Sequence, residues 1–311
     1  MINETEFFSS VLEAVRKLFP EDPGNEMIFE IQDVTKSNDR VLHGLVIKKE
    51  SDVIAPVLYL EDALEMAEDG TPIDDIARGL VDCYMKATAE MPTEEEISLE
   101  YEAIKSRLTL HLEDATLNRD RLREAVYRDL GNSFVMLPYV VMREDDIGSM
   151  AYMITKDIAK GENYDLDSLF SDAMKNMTEK FEAKLIPMMD ILFNCSSQKE
   201  TNPLKPGFDP GTKSDIYILT NSRGAFGSVA LYYPGMLFAI GNALNRDYYI
   251  LPSSTNELII LPDTGEYDIG FLKDMVKNAN ETVVDEKDLL SYRVLRYDRV
   301  LDRLYEPMVN N

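Results

Sequence analysis

Two short stretches near the C-terminus carry the side chains best suited to chemistry. Residues 221–227 read Asn-Ser-Arg-Gly-Ala-Phe-Gly, and a glycine turn ahead of a helix can present backbone N–H groups to an anion such as phosphate. Arg223 and Gly224 are the candidate ligand-binding residues of this stretch. The glycine spacing fits neither a Walker loop nor a dinucleotide fingerprint. A tight turn between two strands explains the same residues and is favoured over an anion site.

The second stretch lies in a predicted hairpin loop. Ser253 and Ser254, with Glu257 and Asp263 after them, bring hydroxyls and carboxylates close together, which would suit a small polar ligand. Both serines are therefore candidate ligand-binding residues. A serine nucleophile needs a base, and no histidine lies near these serines in the sequence, so capping of the loop by the hydroxyls is the favoured alternative. We assign no catalytic residue.

Histidine and cysteine are scarce. Two residues of each type leave little for a histidine-based triad or a zinc site, and we expect no cofactor and no metal. His43 and His111 fall in predicted strands and are expected to be structural or surface residues. Cys83 is expected to be a small buried side chain, whereas Cys195 lies near a loop and is the better candidate for a reactive thiol.

An acidic stretch between residues 61 and 77 contains no basic residue. Its carboxylates could hold magnesium or calcium, but the spacing of an EF-hand is missing, and solvated helix ends explain acidic residues at such places. We therefore predict no metal site here. The acidic side chains are Asp62, Glu65, Glu68, Asp69, Asp74 and Asp75.

Net charge restricts the partners that the chain can bind. It has 57 Asp and Glu against 32 Lys and Arg, a formal net charge of −25, which repels nucleic-acid phosphates and anionic membranes. No apolar run is long enough to span a bilayer, and the first residues lack the features of a signal peptide. Two cysteines fit a reducing compartment. These features predict a cytoplasmic protein without direct nucleic-acid or membrane binding, for which a protein partner stays open.

The pattern of apolar residues predicts an α+β fold of three mixed modules, each a small, mainly antiparallel sheet covered by helices. The modules are residues 1–92, 93–200 and 201–311, the last beginning with a linker rich in proline. In the middle module, residues 119–128 look helical. Residues 104–112 favour a strand, with a continued helix as the competing interpretation.

The C-terminal module has the clearest order of elements. It predicts a strand at residues 216–220, a glycine turn, a strand at 228–233, a helix at 235–244, a hairpin of 248–251 with 258–261, and a helix over 271–279.

Several runs resemble the bacterial domain of unknown function family numbered 5688. They include Ile-Ala-Pro-Val-Leu-Tyr-Leu-Glu-Asp at 54–62, Leu-Thr-Asn-Ser-Arg-Gly-Ala-Phe-Gly at 219–227, and Tyr-Ile-Leu-Pro-Ser-Ser at 249–254. Further similarity at 257–263, 275–280 and 297–299 extends the resemblance over nearly the whole chain, with the most divergence at residues 118–193. The resemblance implies a bacterial intracellular setting. It implies no activity, cofactor or site residue.

Three functions remain after these observations. The favoured one is a non-enzymatic binding or regulatory protein, because scaffold signals are present throughout and no catalytic set accompanies them. An acidic inhibitor or decoy of a nucleic-acid-binding protein would place the negative charge in a stripe. A carboxylate-dependent or metal-dependent enzyme would need a concave pocket that contains acids with raised pKa values.

Overall fold

The structure, a computed structural model, describes residues 3–19, 27–50, 55–92, 97–144, 149–193, 200–210 and 215–308. The chain divides into unit 1, Met1–Ile97, and unit 2, Ser98–Asn311. Three mainly antiparallel sheets with helices beside them confirm the α+β class. Within the described ranges, no helix has the length and apolar character needed to cross a membrane.

Unit 1 is a three-stranded antiparallel sheet in the order β1-β2-β3, packed against helices. The side chain of Asn3 accepts hydrogen bonds from the N–H groups of Thr5 and Glu6 at 3.1 and 3.4 Å and so caps the start of the first helix. The elements are α1 (Glu4–Lys17), β1 (Met27–Thr35), β2 (Val41–Lys49), β3 (Val57–Tyr59), α2 (Glu61–Glu68) and α3 (Ile73–Ala89), with a 3₁₀ turn at Ser37–Asp39.

The core of unit 1 follows the sequence periodicity. Apolar side chains spaced three and four residues apart on α1 and α3 meet side chains at alternate positions of β2. The residues buried in this cluster are Phe7, Val11, Val15, Leu45, Ile47, Leu60, Ala63, Ile76, Ala77 and Tyr84.

Unit 2 contains two sheets. The elements around the first are α4 (Tyr101–Ile104), β4 (Leu108–Asp114), β5 (Arg128–Gly131), β6 (Phe134–Glu144), β7 (Ser149–Met153), α5 (Lys156–Gly161) and α6 (Leu166–Lys180), with 3₁₀ turns at Lys105–Arg107 and Arg121–Arg123. Those of the second are β8 (Ala183–Pro187), α7 (Met188–Leu192), β9 (Tyr217–Asn221), a 3₁₀ helix at Gly227–Tyr232, α8 (Met236–Leu244), β10 (Tyr248–Leu251), β11 (Leu258–Pro262), α9 (Ile269–Thr282), β12 (Leu295–Asp298) and β13 (Arg303–Tyr305).

The first sheet is built around the long strand β6. β6 pairs with β4 along one edge and with β5 and then β7 along the other, all antiparallel. Leu108, Leu110 and Leu112 of β4 lie on the face that joins the core beneath α6. Thr109, His111 and Glu113 alternate with them and therefore lie on the opposite face.

The second sheet has the order β13-β12-β10-β11-β9-β8 and is antiparallel throughout. The predicted hairpin is present, with Tyr249 opposite Leu261 and Ile250 opposite Ile260. One hydrophobic cluster contains side chains from both sheets and from α6, including Leu110, Phe170, Leu219 and Ile260. Residues that the sequence assigned to the second and third modules therefore share one core in unit 2.

Two predicted elements are wrong. Residues 228–233 were expected to form a strand, but Gly227–Tyr232 is a 3₁₀ helix, because β8 and β11 already occupy both edges of β9. Residues 119–128 were expected to be helical, but only Arg121–Arg123 forms a helical turn. Beyond it, the N–H of Val126 donates to the carbonyl of Ile154, and this pairing draws the segment to the end of the sheet.

The residues 104–112 contain both competing structures. A helical segment continues through Lys105–Arg107, and the strand begins at Leu108. The linker predicted near residues 194–214 is described only at 200–210.

Candidate functional site

The first candidate stretch, residues 221–227, connects β9 to the 3₁₀ helix. Asn221, which is 2% exposed, organises it: its Oδ1 accepts from the N–H groups of Arg223 and Gly224 at 3.0 and 2.9 Å, and its Nδ2 donates to the carbonyl of Ala225 at 3.1 Å. The backbone donors proposed from the sequence as anion ligands are therefore used within the turn. The side chain of Arg223 projects its guanidinium carbon to 5.3 Å from the ring centre of Phe181.

The serines of the second stretch have local roles in the β10–β11 loop. Ser254 Oγ accepts from the N–H of Asn256 at 3.1 Å, as expected of a capping hydroxyl. Ser253 is buried, and its carbonyl accepts from the N–H of Leu290 at 3.0 Å.

Asn256 joins the two stretches. Its Oδ1 accepts from the N–H of Phe226 at 3.1 Å, and its carbonyl accepts from Thr220 Oγ1 at 2.8 Å. The N–H of Ser228 also donates to the carbonyl of Thr255 at 3.2 Å. The backbone of Phe226 is thereby fixed in a left-handed conformation, with φ 51° and ψ 29°.

Phe226 places its ring on His111, a residue expected from the sequence to be only structural or exposed. The two ring centres are 3.6 Å apart with 13° between the planes. Tyr139 of β6 also lies parallel to His111, at 3.8 Å and 18°. Two nearly parallel rings this close to one imidazole must cover its opposite faces. We call Tyr139, His111 and Phe226 the ring stack.

An ion pair lies beside the ring stack on the same side of β4. Arg121 Nη2 is 3.5 Å from Glu113 Oε1, and their side chains are only 12% and 6% exposed. Arg121 Nη2 also donates to the hydroxyl oxygen of Tyr139. The candidate site is thus formed by the ring stack, Glu113, Arg121 and Arg223.

The surroundings keep the two titratable rings neutral. Burial lowers the pKa of His111 well below its usual value, and the positive charges of Arg121 and Arg223 lower it further. Burial raises the pKa of Tyr139 above its usual value, although Arg121 acts in the opposite direction. The charged groups of the site are therefore the two guanidinium groups and the Glu113 carboxylate paired with Arg121, which leave one positive charge in excess. This charge suits binding of an anion better than proton transfer near neutral pH.

We expect His111 to stay neutral at pH values where an ordinary histidine is protonated. Because its folded-state pKa lies below the unfolded value of about 6.5, the unfolded chain takes up the proton first, and stability falls as the pH decreases below that value. The wild type should lose up to about 1.4 kcal/mol per pH unit more than His111→Gln over this range.

Urea unfolding at pH 7.5, 6.5 and 5.5 measures this difference, and the NMR signals of the two imidazoles give the pKa of His111 directly after assignment with His43→Gln. Equal pH dependence in wild type and His111→Gln, or a normal titration of the ring, would contradict the expectation.

The remaining candidates belong to unit 1 or lie outside the described residues. In unit 1, the backbone N–H of His43 donates to Glu61 Oε1 at 2.7 Å, and its Nδ1 is 3.2 Å from the same oxygen. Cys83 was expected to be buried but is exposed, because Tyr84, next to it on the helix, takes the buried position. Cys195 lies outside the described residues.

The acidic stretch of unit 1 forms α2, the connection after it and the first turn of α3. Asp75 Oδ1 accepts from Arg78 Nη1 at 2.7 Å within the first turns of α3. In the part of the chain that the structure describes, no group of three or more His, Cys, Asp or Glu side chains is placed to hold a metal ion.

Comparison with known proteins identifies the family of the chain. A model described as Family of unknown function (DUF5688) matches residues 4–299. The chain belongs to this family. The match to DUF5688 includes every residue of the candidate site. No curated protein and no solved structure matches the chain.

Proposed function

We propose that this DUF5688 member is a non-enzymatic binding protein that holds a small anionic ligand at the ring stack, between Arg121 and Arg223. The observation that carries the proposal is that the positive charges of Arg121 and Arg223 act on an imidazole whose two faces are covered by rings, one of which accepts a hydrogen bond from Arg121. Guanidinium groups bind carboxylate and phosphate oxygens through paired N–H donors.

The local charge also favours a small ligand. At a net charge of −25, the whole protein repels polyanions such as nucleic acids. In the site, two arginines outnumber the single carboxylate of Glu113, and this local excess of positive charge attracts one anionic group over a short distance. The binding role, unlike proton transfer, does not require a side chain whose pKa lies near neutral pH.

Replacing Arg223 by glutamine tests the proposal. We expect the variant to bind benzoate or inorganic phosphate with a Kd at least about ten-fold higher than that of the wild type, since a hydrogen bond to a charged group is lost. Isothermal titration calorimetry at low salt measures the affinity. Arg246→Gln is the matched control. Arg246 is an exposed arginine after α8, and its substitution removes the same charge from unit 2.

The proposal requires the wild type and Arg246→Gln to bind alike. It is wrong if neither benzoate nor phosphate binds the wild type, or if Arg223→Gln and Arg246→Gln weaken binding equally.

A further inference from the structure

The two outer members of the ring stack are held very differently. Tyr139 belongs to the central strand β6, is 7% exposed, and is bonded through its hydroxyl to Arg121. Phe226 lies in a turn, is partly exposed, and has a left-handed backbone that side chains other than glycine and asparagine rarely adopt. The Tyr139 side of His111 is therefore covered by a buried ring of the sheet, while the Phe226 side is covered by a partly exposed ring of the turn.

The backbone of Phe226 is anchored through its N–H, which donates to Asn256 Oδ1, while its side chain is partly exposed. A rotation about χ1, the torsion that positions the ring, would take the ring off His111 with this backbone bond intact. That rotation would expose a flat surface, the second face of His111, at the place where the Phe226 ring now lies 3.6 Å from it.

We propose that the Phe226 ring occupies the position of a flat aromatic anion, and that such a ligand displaces it, stacks on His111 and directs its acidic group to Arg223 and Arg121. This inference rests on the proposed function and specifies its ligand class. A ring that parallels the imidazole at van der Waals distance shows that the slot accepts a planar aromatic group.

Two buried hydroxyls near the slot support a polar ligand. Thr109 precedes His111 by two residues on the same face of β4, and Ser228 follows Phe226 by two residues. They are 6% and 0% exposed, and neither hydroxyl oxygen has a hydrogen-bond partner within the described part of the chain. Buried hydroxyls are normally satisfied, by protein, water or ligand.

The experiment compares two acids of equal charge and different shape, naphthalene-2-carboxylate and cyclohexanecarboxylate, on the full chain. The chain has no tryptophan, so naphthoate fluorescence reports binding without tryptophan background. In the wild type, we expect naphthoate to bind about ten-fold more tightly than cyclohexanecarboxylate, and to shift the NMR signal of the His111 ring by its ring current.

Phe226→Ala should then increase the affinity for naphthoate by a further factor of about ten, since no ring has to be displaced, and leave that for cyclohexanecarboxylate within about two-fold. Phe226→Leu keeps an apolar side chain in the turn and should also increase the affinity for naphthoate. This second variant keeps the test possible if Phe226→Ala does not fold.

Three results would overturn the inference in different ways. If both acids bind the wild type equally and Arg223→Gln weakens both, the proposed anion site stands and the aromatic ligand class is wrong. If neither acid binds the wild type or the Phe226 variants, the aromatic ligand class is wrong, and the titrations with benzoate and phosphate decide whether the proposed function is wrong as well. An unchanged naphthoate affinity in both Phe226 variants, with His111 unshifted, also refutes displacement.

Discussion

Replacing Asp114 by alanine is expected to lower the free energy of unfolding of unit 2 by about 3 kcal/mol. Asp114 ends β4 and is only 2% exposed. Its Oδ1 accepts from the N–H and hydroxyl of Thr116 at 2.8 and 2.6 Å, and its Oδ2 accepts from Ser291 Oγ at 2.6 Å and Arg293 Nε at 3.1 Å.

Most of the lost stability comes from the hydrogen-bond donors that Asp114→Ala leaves without an acceptor. Ser291 is fully buried, and the Arg293 side chain is 24% exposed, so water can replace the carboxylate only in part. Arg293 keeps its second pair, with Nη1 at 2.6 Å from Glu306 Oε2, which limits the loss. Asp114 lies in the first sheet of unit 2, whereas Ser291 and Arg293 lie just before β12 of the second sheet. The substitution therefore removes hydrogen bonds between two segments that are far apart in the sequence.

Urea unfolding of the full chain, followed by circular dichroism, measures the change, and hydrogen exchange with mass spectrometry assigns it to unit 2. Glu179→Ala is the matched control, because it removes an acidic residue from an exposed i,i+4 pair with Lys175 on α6 and should cost less than about 0.5 kcal/mol. If Asp114→Ala lowers the free energy of unfolding by less than about 1 kcal/mol, the hydrogen bonds of Asp114 do not stabilise unit 2 as expected.

Gly227→Ala is expected to destabilise unit 2 by about 2 to 3 kcal/mol and to separate Phe226 from His111. A Cβ at this position would lie 2.5 Å from the carbonyl oxygen of Asn256 and 2.9 Å from the backbone nitrogen of Asn221, and closer still to the side chain of Thr220. Two of these atoms belong to backbone that cannot move independently, so the turn and the β10–β11 loop must separate.

The same unfolding measurement, together with the ring-current shift of the His111 NMR signal, tests both parts of this prediction. Gly161→Ala in α5 of unit 2 is the control: nothing lies within 4 Å of its added Cβ, and we expect a change within about 0.5 kcal/mol. A Gly227→Ala protein with wild-type stability and an unchanged His111 signal would show that the close approach is not required.

Local patterns in the sequence predict local structure well. The spacing of Phe7, Val11 and Val15 predicts the buried face of α1, and Asn3 its start. The hairpin of β10 and β11 follows from two apolar runs around a short polar loop. In each case, residues a few positions apart determine the outcome, because helix and strand periods repeat over that distance.

The failures share a different cause. The apolar run at Ser228 has the composition of a strand, yet β9 has no free edge to receive one, and the order of strands in a sheet is not encoded in any single run. Cys83 was expected to be buried beside the apolar face of its helix, but it is exposed, because α3 buries Ile76, Ala77 and Tyr84 instead.

The candidate site was only half visible in the sequence. Arg223 was singled out, and the polar residues that alternate with leucines in β4 were the available signal for His111 and Glu113. Nothing local connects these residues with Arg121, Tyr139 or Phe226. The serines at 253 and 254 were chosen for their hydroxyls, whereas the contact between the two stretches is made by Asn256.

By itself, the sequence determined the acidic character, the α+β class and the family of this protein, because composition and short-range periodicity are properties of the chain alone. Only the tertiary structure decided that His111 lies between Tyr139 and Phe226. The register of β4 against β6 sets the first contact, and the close approach of Gly227 to Asn256 sets the second. Both depend on packing between segments far apart in the chain, which local patterns do not specify.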